Sequence, residues 1–129
     1  MIETIVIADD SVAARMIIRR CLEIAGFAQS TFLEAADGAE ALELAKSNRV
    51  GLLVTDLNMP NMDGRSLLRR IKASPRLTDV PVLVISSAGN EGLTRELKQE
   101  GAFDVLNKPV SPANLASILR DLTDQSEWG

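Results

Sequence analysis

Histidine and tyrosine are absent from this chain, and cysteine and tryptophan each occur once. With no histidine and no second cysteine, a metal site here must be built from oxygen ligands, which suits a hard ion. The single Cys21 rules out an internal disulfide, so nothing points to an oxidising compartment. Lying among Ile17, Ile18, Leu22 and Ile24, it reads as a small buried hydrophobe. Aromatic residues make up only 3% of the chain, so the core must be built mainly from Val, Ile, Leu and Ala. No apolar run approaches the length of a membrane span. No basic region precedes the first apolar run, residues 1–8, which Asp9-Asp10 ends. The expectation is a cytoplasmic protein with no membrane partner. Positive charge is also short: the net charge of -4 and pI of about 4.8 argue against a general nucleic-acid binder, so no binding to DNA by the chain itself is expected. Two small arginine clusters, Arg15, Arg19, Arg20 and Arg65, Arg69, Arg70, read as solvated faces of helices.

What remains is an ordinary globular composition, 46% hydrophobic and 25% charged over 129 residues. One domain of that size buries roughly two-thirds of its unfolded surface. Its centre is the run Val50-Gly51-Leu52-Leu53-Val54-Thr55-Asp56, closed by Pro60 and Met62-Asp63-Gly64. A short apolar run bounded by turn residues reads as a strand buried on both faces, as in a parallel sheet. Asp56 falls at its carboxyl end. Alone, Asp56 reads either as a turn cap or as a chemical group at a ligand-binding edge.

Around that run, strand and helix alternate five times. Ile5-Val6-Ile7-Ala8 reads as a first strand, followed by a helix over 12–25 that Gly26 stops. Residues 31–35 are a weaker second strand, and Ala41, Leu42, Leu44 and Ala45 give the next helix its apolar face up to Ser47-Asn48. Leu67, Leu68 and Ile71 mark a third helix, limited by Pro75. Residues 81–85 form a fourth strand, and Leu93 and Leu97 thinly anchor a fourth helix ending at Gly101. Residues 103–106 are a fifth strand. The last helix has Ser111 as its cap, Pro112 at its first position, and a stripe of Leu115, Ile118, Leu119 and Leu122. Residues 123–129 read as a polar tail that frays, with Trp128 as a loose end or a docking residue. The domain thus covers residues 1–122, with the look of a natural end after it. Alternating strands and helices require parallel pairing and right-handed crossovers, giving a three-layer α/β/α sandwich. Periodicity does not set the strand order.

In such a sheet the carboxyl ends share one edge. They bring Asp9 and Asp10 from the first strand, Asp56 from the third, Ser86 from the fourth and Lys108 from the fifth. Two carboxylates about 4 Å apart repel by roughly 4 kcal/mol at the effective dielectric of a protein surface, so three should hold a cation or a proton. Mg²⁺ is the expected occupant. An anionic group, most simply a phosphoryl group, fits between it and Lys108. Asp56 could then act as nucleophile, forming an aspartyl phosphate, with Ser86 and Lys108 on the phosphoryl oxygens. Singly, each residue has a bland reading: Asp9-Asp10 as helix caps, Ser86 as a loop hydroxyl, Lys108 as a surface charge. Five compatible residues at strand ends are improbable as accident.

The motifs Ala8-Asp9-Asp10-Ser11, Thr55-Asp56-Leu57-Asn58-Met59-Pro60-Asn61-Met62-Asp63-Gly64, Ile85-Ser86-Ser87-Ala88, Gly101-Ala102 and Asn107-Lys108-Pro109 resemble the receiver domains of two-component response regulators, in particular the single-domain chemotaxis type of CheY kind. The resemblance implies a flavodoxin-like fold with strand order 2-1-3-4-5. It implies that Asp56 is the phosphoacceptor, charged by a histidine kinase or a small phosphodonor. Asp10, Asp56 and the backbone carbonyl of Asn58 would bind Mg²⁺ directly and Asp9 through water. Ser86 would be the switch hydroxyl and Lys108 the phosphate-binding lysine, usually followed by a cis peptide to proline. Asn58 and Ala88 hold positions that tune phosphate lifetime. Where the family commonly has Tyr or Phe three residues before the lysine, this chain has Val105. The expected readout is therefore a smaller rearrangement of the fourth helix and the loop 87–90, because that helix has few apolar anchors.

The expected role is a phosphorylation-controlled binding module rather than an enzyme. Its output goes to a partner such as a motor switch or a phosphotransfer protein, through the face of the fourth helix, fifth strand and fifth helix. A relay passing phosphate onward is a close variant. A Mg²⁺-dependent phosphohydrolase of the haloacid-dehalogenase kind wants a second acid two residues after the nucleophile, where this chain has Asn58. A constitutive interaction domain would not need all five site residues. Nucleotide binding lacks a glycine-rich phosphate loop.

Overall fold

The computed structural model describes residues 2–87 and 90–128, with residues 123–128 described by their backbone alone. Five strands, β1 (Thr4–Ala8), β2 (Thr31–Ala35), β3 (Leu52–Asp56), β4 (Val82–Ser86) and β5 (Asp104–Asn107), alternate with five helices, α1 (Val12–Leu22), α2 (Gly38–Ser47), α3 (Gly64–Ala73), α4 (Glu91–Gln99) and α5 (Pro112–Trp128). The strands form one parallel sheet in the order β2-β1-β3-β4-β5. This is the flavodoxin-like order, with β1 and β3 side by side at the centre. In register, Ala8 faces Thr55 and Asp56 faces Ile85, so the strand ends that carry the acids are level.

Side chains two apart on a strand share a face, and here that period divides the core in two. Val6, Ala8, Leu53, Val82 and Val84 pack with Ala41, Leu42, Leu67, Leu68, Ile71 and Leu97, under α2, α3 and α4. Ile5, Ile7, Leu52, Val54, Leu83 and Ile85 pack with Ile18, Cys21, Leu22, Leu115 and Leu119, under α1 and α5. Cys21 is buried, as its apolar neighbours led one to expect.

The helix starts are chemically defined. Ser11, Asp37, Asp63 and Asn90 each accept a backbone N–H from their own helix's first turn, which relieves the unpaired donors there. Ser111 and Asn114 cap α5 reciprocally. Two boundaries differ from the sequence reading by more than two residues. The α-helical part of α1 ends at Leu22, and Glu23–Phe27 continues as a wider π-type turn that contains Gly26 at φ +119°. The backbone of α5 continues to Trp128, through the stretch that reads as a polar tail, because nothing in 123–128 breaks a helix. The readings of Ala88 and of the Trp128 side chain lie outside the described residues. Among the described residues no helix is long and apolar enough to cross a membrane.

The fourth helix has one fully buried anchor, Leu97, with Leu93 partly buried beside it. Its C-terminal end is held more firmly than apolar counting suggests. The Glu100 carboxylate accepts from Arg69 Nε at 2.6 Å and from Arg65, whose guanidinium grips it through both Nε and Nη2. These charge-assisted bonds hold the Glu100 carboxyl down at about 2, against an ordinary 4.5. A carboxylate whose folded value is depressed stabilises the fold above its unfolded value and loses that contribution as the pH falls toward the folded one. Denaturation midpoints of the wild type and Glu100→Gln are therefore expected to differ most above about pH 4.5 and to converge as the pH is lowered toward 2.

Candidate functional site

The site is built where β1, β3, β4 and β5 end. β1 stops at Ala8, and the next N–H, that of Asp9, donates to the carbonyl of Ala35 at the end of β2 (3.0 Å). The chain then turns into α1, and the cap of that helix is Ser11, whose hydroxyl accepts from Ala14 N–H at 3.2 Å. That answers the bland reading of Asp9-Asp10 as helix caps. Both carboxylates are free of that duty. Asp9 Oδ1 accepts the N–H of Ser11 at 2.9 Å, and its Oδ2 is buried with no hydrogen-bond partner.

Asp56 ends β3 and is 7% exposed, while Asp9 is 2% exposed and Asp10 lies open to solvent. Oxygens from Asp9, Asp10 and Asp56 all lie within 4.8 Å of one another. Burial, with the charges of Asp56 and Asp10 behind it, pushes the Asp9 carboxyl above its ordinary range, against the opposing pull of the Ser11 N–H and of Lys108. An orphaned buried carboxylate oxygen, facing two more acids in a site of oxygen donors, fits a small hard cation such as Mg²⁺.

Lys108 follows β5 and brings the opposite charge. Its Nζ lies 3.4 Å from Asp56 Oδ1, its N–H donates to the carbonyl of Ser86 at 2.9 Å, and its peptide bond to Pro109 is cis. Ser86 ends β4 and is 2% exposed. Asn58, in the loop after β3, is exposed. The structure therefore brings Asp9, Asp10, Asp56 and Lys108 together, with Ser86 at the adjoining strand end. It leaves the Asn58 side chain on the surface.

The loop that carries Asn58 is tied down at both sides. Gly64 N–H donates to the Leu57 carbonyl and Leu57 N–H to that of Ile85, 2.9 and 3.0 Å. Asn61, at φ +65°, donates through Nδ2 to Asp37 Oδ2 at 2.8 Å, and Gly38 N–H reaches the Met62 carbonyl at 2.9 Å. Asp37 is consequently held below its ordinary range, first by the Asn61 hydrogen bond.

Sequence reasoning passed over two arginines. Arg15 and Arg65 sit in clusters that read as solvated faces, yet Arg15 is 13% exposed and paired with Glu34, and Arg65 clasps Glu100. The partners are 19 and 35 residues away along the chain, beyond what helical periodicity can report.

Residues 5–120 match the family model of the response regulator receiver domain. Over 126 residues the chain is 34% identical to the cyclic di-GMP phosphodiesterase response regulator RpfG of Xanthomonas campestris; this covers 95% of the chain but only 33% of that protein. It is 31% identical over 119 residues to the chemotaxis protein CheY homolog of Campylobacter jejuni, covering 92% of the chain and 90% of that protein. The structure is similar to the chemotaxis response regulator CheY4 of Vibrio cholerae, with a TM-score of 0.79 at 27% identity over 96% of this chain and 98% of that one.

Proposed function

The chain belongs to the response regulator receiver domain family, and from that premise we propose that Asp56 accepts a phosphoryl group and that the phosphorylated chain signals by binding a partner protein. The observation that carries this reading is the placement of one carboxylate, Asp56, between an ammonium 3.4 Å away on Lys108 and two further carboxylates within 4.8 Å. Such a centre has a nucleophile, a cation on one side and room for a second cation on the other, which is the charge pattern of phosphoryl transfer.

In the reaction an Asp56 oxygen attacks phosphorus, the bond from phosphorus to the donor breaks, and the donor leaves as a neutral imidazole or a carboxylate. Lys108 neutralises charge on the phosphoryl group and orients it, and the Ser86 hydroxyl donates to one of its oxygens. Asp9, Asp10 and Asp56 with the carbonyl of Asn58 would hold Mg²⁺, which when bound supplies the remaining charge neutralisation at the phosphoryl oxygens. The transfer is stoichiometric, so the domain acts as a switch and not as a turnover enzyme.

A histidine kinase is the proposed donor. What supports a protein donor is an apolar groove of about 380 Å³ beside Asp9 and Lys108, lined by Ile17, Ile18, Ile85, Pro109 and Val110. Ile17, which lines it from α1, is 56% exposed. The likeness to a chemotaxis protein CheY homolog favours chemotaxis as the setting, with a motor switch or a phosphotransfer protein as the reader.

Intact mass after incubation with acetyl phosphate and Mg²⁺ tests the reading. A gain of one phosphoryl group is expected in the wild type and none in Asp56→Asn or with a chelator present. Absence of the gain, together with failure to bind beryllofluoride, would replace the switch with a constitutive binding module.

A further inference from the structure

Of the three arginines on α1, only Arg15 turns inward: its side chain is 13% exposed, against 46% for Arg19 and 76% for Arg20. Its Nη1 donates to the main-chain carbonyl of Asp9 at 2.6 Å, and its Nε to Glu34 Oε1 at 2.9 Å. The main chain of Glu34 is held by the sheet, because it stands on β2 in register with Ile7, one residue before the Ala35 whose carbonyl takes the Asp9 N–H.

The arrangement closes a ring around the turn that carries two of the acids. Asp9 N–H is held by the sheet, its carboxylate by Ser11 N–H, and its carbonyl by Arg15, whose own N–H is bonded to the Ser11 carbonyl at 3.0 Å. The Asp9 N–H points to β2 and pairing of β1 with β2 stops at Ala8, so the sheet offers the Asp9 carbonyl nothing; the guanidinium takes over where the ladder ends. Asp10 depends on this most. Among the described residues no hydrogen bond fixes its carboxylate, so its direction is set by the main chain between Asp9 and Ser11 alone.

We infer that Arg15 is a positioning residue of the cation site: locked by Glu34, it grips the Asp9 carbonyl and keeps the Asp9 and Asp10 carboxylates converged on Asp56. The inference rests on the proposal that these carboxylates hold Mg²⁺. It makes a prediction opposite in sign to the one that charge alone would make. Arg15 is a cation close to a cation site, so removing it should strengthen Mg²⁺ binding if its field were all that mattered. If it positions the ligands, removing it should weaken binding, and groups behind metal ligands typically cost 10-fold or more.

Mg²⁺ titration by calorimetry on wild type, Arg15→Gln, Arg15→Lys and Glu34→Gln, with thermal unfolding of each in parallel, decides the matter. The expected result is about 10-fold weaker binding in Arg15→Gln. Arg15→Lys should fall in between, since an ammonium can reach the carbonyl but lacks the planar fork that serves both partners. Unchanged or tighter Mg²⁺ binding in a folded Arg15→Gln overturns the inference and leaves Arg15 a structural residue. Should Arg15→Gln not fold, Arg15→Lys and Glu34→Gln carry the test, and wild-type affinity in both overturns it. If the wild type itself binds no Mg²⁺, the reading of the site falls, and this inference with it.

Discussion

Gly64→Ala is expected to destabilise the protein by about 3 kcal/mol or more, read as a lowered urea midpoint, and to take the acidic site down with it. A Cβ built on Gly64 lies 2.2 Å from the Asp56 carbonyl oxygen, 3.0 Å from Leu57 Cα and 3.1 Å from the Asp56 carbonyl carbon. All three are main-chain atoms, so no side-chain rotation relieves the overlap. Either the start of α3 moves off β3, breaking the bond from Gly64 N–H to the Leu57 carbonyl, or the end of β3 shifts. The second course displaces Asp56 itself. Gly26→Ala gives the contrast: at φ +119° it is strained, but its Cβ would meet nothing within 4 Å, so a cost nearer about 1 kcal/mol is expected.

Asp9→Asn is expected to have two opposite effects. Stability should rise by about 1 kcal/mol, because the substitution removes a buried negative charge whose Oδ2 has no partner and which faces two more acids. Mg²⁺ binding should weaken by at least about 10-fold, since the same charge is what the cation would neutralise. Urea denaturation with and without Mg²⁺ reads both at once. The wild type should be stabilised by added Mg²⁺, and the variant should be the more stable protein without it and gain little from it. A loss of stability in Asp9→Asn without Mg²⁺ would mean that Asp9 serves the fold through its bond to Ser11 more than it burdens it.

Strands β1, β3 and β4 were legible because each is a short, mostly apolar run buried on both faces, whereas the edge strands β2 and β5 mix polar and apolar residues. The strand order was not legible. It came from the likeness of the motifs to a family, since nothing in a five-residue strand says which neighbour it will pair with. The acids and Lys108 could be placed together because the ends of parallel strands share one edge. Arg15 and Arg65 could not be recognised, because a helical arginine looks the same in sequence whether it meets water or a glutamate brought near by a crossover. Helix α1 misleads in the opposite direction. Eight of its eleven residues are apolar, yet only Ile18, Cys21 and Leu22 are buried, and Val12, Met16 and Ile17 face outward. Periodicity counts such residues as core, when some of them belong to a surface.

The ion pairs at the end of α4 have a mechanical meaning. Arg65 comes directly after Gly64, the residue wedged beneath the Asp56 carbonyl, and it fastens to Glu100, the C-cap of α4. The helix is fixed toward this end by the clasp and by buried Leu97, and its first turns carry only the partly buried Leu93. Nine residues of helix make an arm of about 13 Å, so a tilt of about 5° about the Glu100 pivot carries the Asn90 end by roughly 1 Å. The pivot is mounted on α3, whose first residue rests against the back of Asp56, and the travel is greatest at the end of the arm nearest Ser86. The linkage from Asp56 through Gly64, Arg65 and Glu100 to α4 does not pass through the Val105 position, where a bulky ring is missing.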